Sequence, residues 1–138
     1  MKTKPLKLLL LSARPSALAE LSQALLKFPA ATVDQVDSAD QGWRAIQADA
    51  IDVLVVDERL GKTSGLDFVR AVVRACPMIN CALVSPLSPE DFHEAAEGLG
   101  VFMQLPLAPG AEEATRMMEL LEILYAHLPP GTNNRSQP

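Results

Sequence analysis

Five apolar stretches short enough to be strands alternate with five longer segments in which apolar residues return every three or four positions. Leu6 to Leu11 is the first strand. A helix is predicted over Pro15 to Lys27, where Leu18, Leu21, Leu25 and Phe28 share one face. Thr32 to Val36 is shorter and more polar, which suits a sheet edge. Ser38 then opens a helix as N-cap, with Gln41 in the capping-box position and Trp43, Ile46 and Gln47 continuing it. Asp52 to Val56 is the third strand. Ser64 caps the next helix, whose Leu66, Val69, Val72 and Val73 form a stripe until Pro77 stops it. Asn80 to Val84 is the fourth strand. Ser88-Pro89-Glu90-Asp91 starts the fourth helix, with proline at the first helical position and acids where the macrodipole favours them. Gly98-Leu99-Gly100 precedes the fifth strand, Val101 to Gln104, and Pro106 follows it. The last helix is predicted over Ala111 to His127. Residues 1–128 read as one domain, and residues 129–138, with almost nothing apolar to bury, as a disordered tail.

Strands alternating with helices imply parallel pairing through right-handed crossovers, with helices covering both faces. The expected fold is α/β, a three-layer doubly wound parallel five-stranded sheet; an eight-stranded barrel needs roughly 250 residues. Open sheets of this kind keep their sites at the C-terminal ends of the strands. Asp57 stands there, directly after Val53-Leu54-Val55-Val56 and eight residues before Gly65.

Composition narrows the function. The 138 residues are 49% apolar and 21% charged, the profile of a soluble globular chain. No apolar run approaches the roughly 20 residues that span a bilayer. The start, Met1-Lys2-Thr3-Lys4-Pro5-Leu6-Lys7 before Leu8 to Leu11, imitates a secretory signal, but its apolar part falls short of the usual length of about 7 to 15 residues. A cytoplasmic location is expected. The net charge of −5 argues against nucleic acid or an anionic membrane as partner, because both call for clustered Lys and Arg. Cys76 and Cys81 flank Pro77 without a C-x-x-C pattern or nearby histidines, so they read as buried or half-buried thiols and not as metal ligands or a disulfide.

Other signals have ordinary explanations. Gly61-Lys62-Thr63 looks like the end of a phosphate-binding loop, yet the glycine required five residues earlier is Val56. Ser12, Ser16 and Ser85 can frame a small anion, but caps and turns explain the same serines. His93 and His127 have no identifiable nucleophile partner, and no enzymatic activity is expected.

The succession Asp57-x-x-Leu60-Gly61-x-x-x-Gly65, then Leu83-Val84-Ser85, then Gly98-x-Gly100-Val101-Phe102-Met103-Gln104-Leu105-Pro106 resembles the receiver domain of bacterial two-component response regulators. The resemblance covers residues 5–126. It implies a flavodoxin-like sheet of order 2-1-3-4-5, a phosphoacceptor at Asp57 served by a histidine kinase, and switch positions at Ser85 and Phe102. It also implies an output and dimerisation face made by helix four, strand five and helix five. The departures bear on function. Ser12 and Ala13 occupy the positions of the acidic pair that holds magnesium, Leu105 that of the lysine before Pro106, and Gly61 that of a proline. Phosphoryl transfer depends on positioning and charge neutralisation, so losing these groups removes most of what such a site supplies. Arg14, Arg59 and Lys62 are the nearby cations, and Arg14 can pair with Asp57.

On the last helix Ala114, Met117, Met118, Leu121, Leu124, Tyr125 and Leu128 form the expected core stripe. Leu120 and Ile123 add apolar surface beyond it, a candidate interface for a homodimer or another protein. The expected protein is a stand-alone, atypical, pseudo-receiver-like domain working through protein contacts, with a histidine kinase or an output protein as partner. Its magnesium-dependent phosphorylation is expected to be lost or weakened, and no cofactor or metal is expected. Two alternatives stand beside this: a phosphorelay regulator phosphorylated at Asp57 with help from Arg14 or Lys62, and a small-molecule sensor using a neutral pocket at the strand ends.

Overall fold

The computed structural model describes residues 5–126. His127, Leu128 and the predicted tail lie outside the described residues. In chain order the strands are β1 (Leu6–Leu11), β2 (Ala31–Val36), β3 (Val53–Val56), β4 (Arg59–Leu60), β5 (Thr63–Ser64), β6 (Asn80–Val84) and β7 (Val101–Leu105). The helices are α1 (Ala19–Leu25), α2 (Ala39–Ala48), α3 (Gly65–Ala75), α4 (Pro89–Ala95) and α5 (Ala111–Ala126). Five strands form one parallel sheet in the order β2-β1-β3-β6-β7, which is 2-1-3-4-5 when that sheet alone is counted.

The period-two alternation of side chains divides the core into two layers. Leu8, Leu10, Val53, Val55, Val84 and Leu105 face Leu18, Leu21 and Leu25 near α1 and Ala114, Met117 and Leu121 of α5. Leu9, Leu11, Leu54, Val56 and Leu83 face Ile46 of α2, Phe68, Val69 and Val72 of α3, and Phe92 of α4. All four residues of β3 are fully buried, as a central parallel strand covered on both faces must be. Three serines cap as the sequence predicts: Ser38 accepts from the Gln41 N–H, Ser64 from Asp67 and Ser88 from Asp91. Trp43 of α2 leans on Phe68 of α3 with ring centroids 5.4 Å apart. On the α5 side of the sheet, Asn80 Nδ2 donates to the Tyr125 hydroxyl at 3.0 Å.

Four details differ from the expectation. The first helix begins as a 3-10 turn over Pro15–Leu18 and its α-helical part ends at Leu25, because Arg14 supplies no side-chain cap and Leu26 is 57% exposed. Residues 59–64 form a two-stranded hairpin, with Gly61 at φ +73° opening a two-residue turn between Leu60 and Thr63. Glycine first in such a turn supplies the positive φ that lets the turn match the right-handed twist of its strands. Phe102 is an extra residue in β7: Cys81 pairs with Val101 and Ala82 with Met103, so the bulge turns Phe102 and Met103 into the same layer. On α5, Leu124 is 41% exposed and is no core residue, whereas Leu120 packs against the core.

Cys76 is half-buried and Cys81 buried, both as free thiols. Burial pushes the Cys81 thiol up to about 12, which keeps it protonated and unreactive near neutral pH.

Candidate functional site at the strand ends

Strand register assembles the site. β1 and β3 pair Leu11 with Val56, and the Asp57 N–H donates to the Leu11 carbonyl at 2.9 Å, so Ser12 and Asp57 form the next rung. Each lies two residues beyond a member of the α1–α5 layer, Leu10 and Val55, and leaves the sheet on that side. Pairing of Val56 with Leu83 and of Val84 with Leu105 puts Leu105 at the same level. Ser12, Asp57, Val84 and Leu105 therefore make one row across the C-terminal end of the sheet.

Asp57 is only 2% exposed. Its Oδ2 lies 2.7 Å from the Ser12 hydroxyl and its Oδ1 accepts the Glu58 N–H at 2.7 Å. Ser12 Oγ also lies 2.8 Å from the Arg14 carbonyl, but the hydroxyl has one hydrogen and the charged carboxylate is the stronger acceptor. Arg14 Nη2 stands 3.8 Å from Asp57 Oδ2, with the arginine side chain 71% exposed. A hydrogen bond to a charged group contributes about 1.5–3 kcal/mol net. An ion pair this long and open on one side contributes at most about 1 kcal/mol. Ser12 and the Glu58 amide therefore hold the carboxylate, and Arg14 adds a screened attraction.

Behind Asp57 the chain turns into the hairpin and returns at Gly65, whose N–H donates to the Glu58 carbonyl at 2.8 Å. A Cβ at Gly65 would run into the Asp57 carbonyl oxygen and come within 2.9 Å of Leu83 Cδ1. The glycine eight residues after Asp57 is a packing requirement, since only hydrogen fits there.

Other predicted site residues fall elsewhere. Arg59 donates to the Gly61 carbonyl at 3.4 Å and Lys62 lies exposed in the hairpin turn, and among the described residues neither makes a hydrogen bond or ion pair with Asp57. Thr63 belongs to β5 of that hairpin, which is no phosphate-binding loop. Ser12, Ser16 and Ser85 do not converge: Ser12 serves Asp57, Ser16 is exposed in the 3-10 turn, and Ser85 Oγ accepts the Leu87 N–H at 3.2 Å. A cavity of about 250 Å³ does lie between Glu58, Leu66, Leu83, Ser85, Leu87 and Phe92. A groove of about 390 Å³ runs between α4 and β7 past His93, Glu97 and Phe102.

No family model matches the chain, and no curated protein matches it. Solved structures do. A signal receiver domain of an HD domain-containing protein from Pseudomonas fluorescens superimposes with a TM-score of 0.76 at 17% identity, covering 91% of this chain and 93% of that one. An uncharacterised protein from Neptuniibacter caesariensis gives 0.78 at 16% identity over 99% and 100% of the two chains. A chemotaxis response regulator from Vibrio cholerae gives 0.72 at 15% identity over 84% and 98%. The chain has the receiver fold.

On that fold the row of Ser12, Asp57 and Leu105 offers one carboxylate, one hydroxyl and one apolar side chain. Magnesium takes oxygen ligands in near-octahedral geometry, commonly including carboxylates. Ser12 is neutral and spent on Asp57, and Ala13 is an exposed residue without a ligand atom in its side chain. Among the described residues no three His, Cys, Asp or Glu side chains come together to hold a metal ion. The residues present do not fit magnesium. Leu105, which the resemblance sets at a lysine position, is fully buried in the α1–α5 layer and offers the site no charge. Phe102, which the resemblance sets at a switch position, packs partly into the same layer.

Sequence reasoning missed Gln104. Its Nε2 donates to the carbonyls of Ser85 at 3.2 Å and Leu87 at 2.8 Å, fastening the β6–α4 loop to β7. The one available signal was an amide set between Met103 and Leu105 in an otherwise apolar strand.

Proposed function

We propose that this chain is a signalling module of receiver type that works through protein contacts, with magnesium-dependent phosphorylation of Asp57 lost or severely weakened. The hydrogen bond between Ser12 and Asp57 carries the reading. It engages the phosphoacceptor oxygen with a neutral donor in the place where receivers supply carboxylates for magnesium. With a leucine at the lysine position, neither the metal nor the transferred phosphoryl charge has its usual partner. The module performs no chemistry of its own.

Acetyl phosphate with millimolar magnesium is expected to leave the protein at its unmodified mass. A stoichiometric gain of one phosphate in intact-mass spectrometry, abolished in Asp57→Asn, would overturn the proposal. A second reading draws on Arg14, the cation 3.8 Å from Asp57. If it neutralises an incoming phosphoryl group, the mass gain appears in the parent and disappears in Arg14→Ala as well.

The contact surface proposed is the face of α4, β7 and α5, a homodimer being one use of it. Ile123 is 61% and Leu124 41% exposed on α5, side by side and without cover among the described residues. Ile123→Lys is expected to convert a dimer into a monomer by light scattering while leaving the circular dichroism spectrum intact. Leu120→Glu is unsuitable for this purpose, since Leu120 packs against the core. A monomeric parent at high concentration would remove the self-association and leave a different protein as the partner. Among the described residues no helix is long and apolar enough to cross a membrane.

A further inference from the structure

Two polar networks meet the C-terminal ends of the central strands, and among the described residues no hydrogen bond or ion pair joins them. One contains Asp57, Ser12, Arg14 and the Glu58 amide. The other contains Ser85, Leu87 and Gln104: the Ser85 hydroxyl accepts the Leu87 N–H, and Gln104 Nε2 donates to both of their carbonyls. The Ser85 N–H is held in turn by the Leu105 carbonyl at 3.0 Å. The loop between β6 and α4 is thus fastened to β7 from the side away from Asp57.

We infer that Gln104 is a latch that fixes the β6–α4 loop and the entry to α4 independently of the state of Asp57. The chemistry is specific to an amide. Its NH2 group has two hydrogens, and each is aimed at one of two carbonyl oxygens, so the nitrogen must point into the loop. A carboxylate in the same place would have no hydrogen to donate and would face two acceptors. The lever arm is rigid. Gln104 is flanked by Met103 and Leu105, whose side chains are anchored in the opposite layer, so its backbone cannot follow the loop if the loop moves.

The position held matters for the surface. Leu87 immediately precedes Ser88, the N-cap of α4, whose hydroxyl accepts the Asp91 N–H at 3.1 Å. Fixing Leu87 fixes where α4 begins and with it the groove lined by Phe92 and His93 of α4 and by Phe102 and Gln104 of β7. The α4 face is presented in one arrangement at all times. This deepens the proposed function, on which it rests only for the use of that face; the latch itself stands or falls on the loop.

Hydrogen exchange resolved by mass spectrometry tests it on the intact chain. Gln104→Glu keeps size and shape and removes both donors. It is expected to speed amide exchange in residues 86–92 about tenfold or more, with β1 and β3 unchanged. Gln104→Met, isosteric and neutral, is expected to do the same, which separates a lost donor from an added charge. Asp57→Asn and Ser12→Ala, which alter the other network, are expected to leave residues 86–92 at the parent rate. The latch is wrong if both Gln104 variants exchange like the parent. The independence is wrong if Asp57→Asn or Ser12→Ala speeds the loop as much as Gln104→Glu does. Phosphorylation plays no part in these readouts, so the mass experiment on acetyl phosphate fails or succeeds separately.

Discussion

Gly65→Ala is expected to lose about 3 kcal/mol or more of folding stability, an exceptional cost for one methyl group. The new Cβ would occupy the space of the Asp57 carbonyl oxygen and press on Leu83 Cδ1. Neither neighbour can step aside cheaply. The Asp57 N–H is tied to the Leu11 carbonyl and the Gly65 N–H to the Glu58 carbonyl, and Leu83 belongs to the packed α2–α4 layer. The start of α3 must therefore move outward. Gly61→Ala makes a useful control, because nothing lies within 4 Å of that position and the strain comes only from φ +73°. Its cost should be about 1–2 kcal/mol. Urea unfolding measures both, and the two midpoints should separate clearly while the slopes stay alike. If Gly65→Ala unfolds at the parent midpoint, α3 does not abut Asp57 as described.

Rebuilding the missing charges is expected to produce the second large effect. Ser12→Asp and Ala13→Asp with Leu105→Lys would surround Asp57 with the acid pair and cation that receivers carry. Magnesium should then bind at least about tenfold more tightly than to the parent in calorimetric titration, because carboxylate oxygens are what the parent lacks. Without metal the triple variant should be several kcal/mol less stable. It brings three carboxylates together and removes the hydrogen bond at Asp57 Oδ2. It also replaces a fully buried leucine, a change that alone costs about 2–5 kcal/mol when the side chain is truncated. Magnesium should restore part of that loss. Equal magnesium affinity in parent and variant would mean that the row of Ser12, Asp57 and Leu105 is not the cause of the weak site.

The sheet was legible because its central strands β1 and β3 are nearly pure Leu and Val. A run such as Val53 to Val56, apolar on both faces, has no stable place except the middle of a covered sheet. The caps at Ser38, Ser64 and Ser88 were legible for a local reason: each satisfies an N–H three residues ahead. Ser12 and Leu105 could be read as departures from the receiver pattern. That the Ser12 hydroxyl is the donor to Asp57 could not be read, since it depends on pairing across 45 residues. The hairpin at Gly61 was hidden by its length, with two residues per strand giving no periodicity. Leu120 and Leu124 stand one turn apart on the same side of α5, so periodicity alone does not say which of the two meets the core. Gln104 was hidden because its partners lie on a loop whose path no local pattern fixes.

The sequence contains one tryptophan and one tyrosine, and the fold has put them on opposite sides of the sheet. Trp43 stands half-buried against Phe68 between α2 and α3, and Tyr125 reaches from α5 to Asn80. Each chromophore samples a different helical layer. Tryptophan emission excited at the red edge of its band should report the α2–α3 seam alone, and tyrosine absorbance the docking of α5. The order in which the two coverings close over the sheet can thus be followed in the unlabelled protein, with no probe introduced into either.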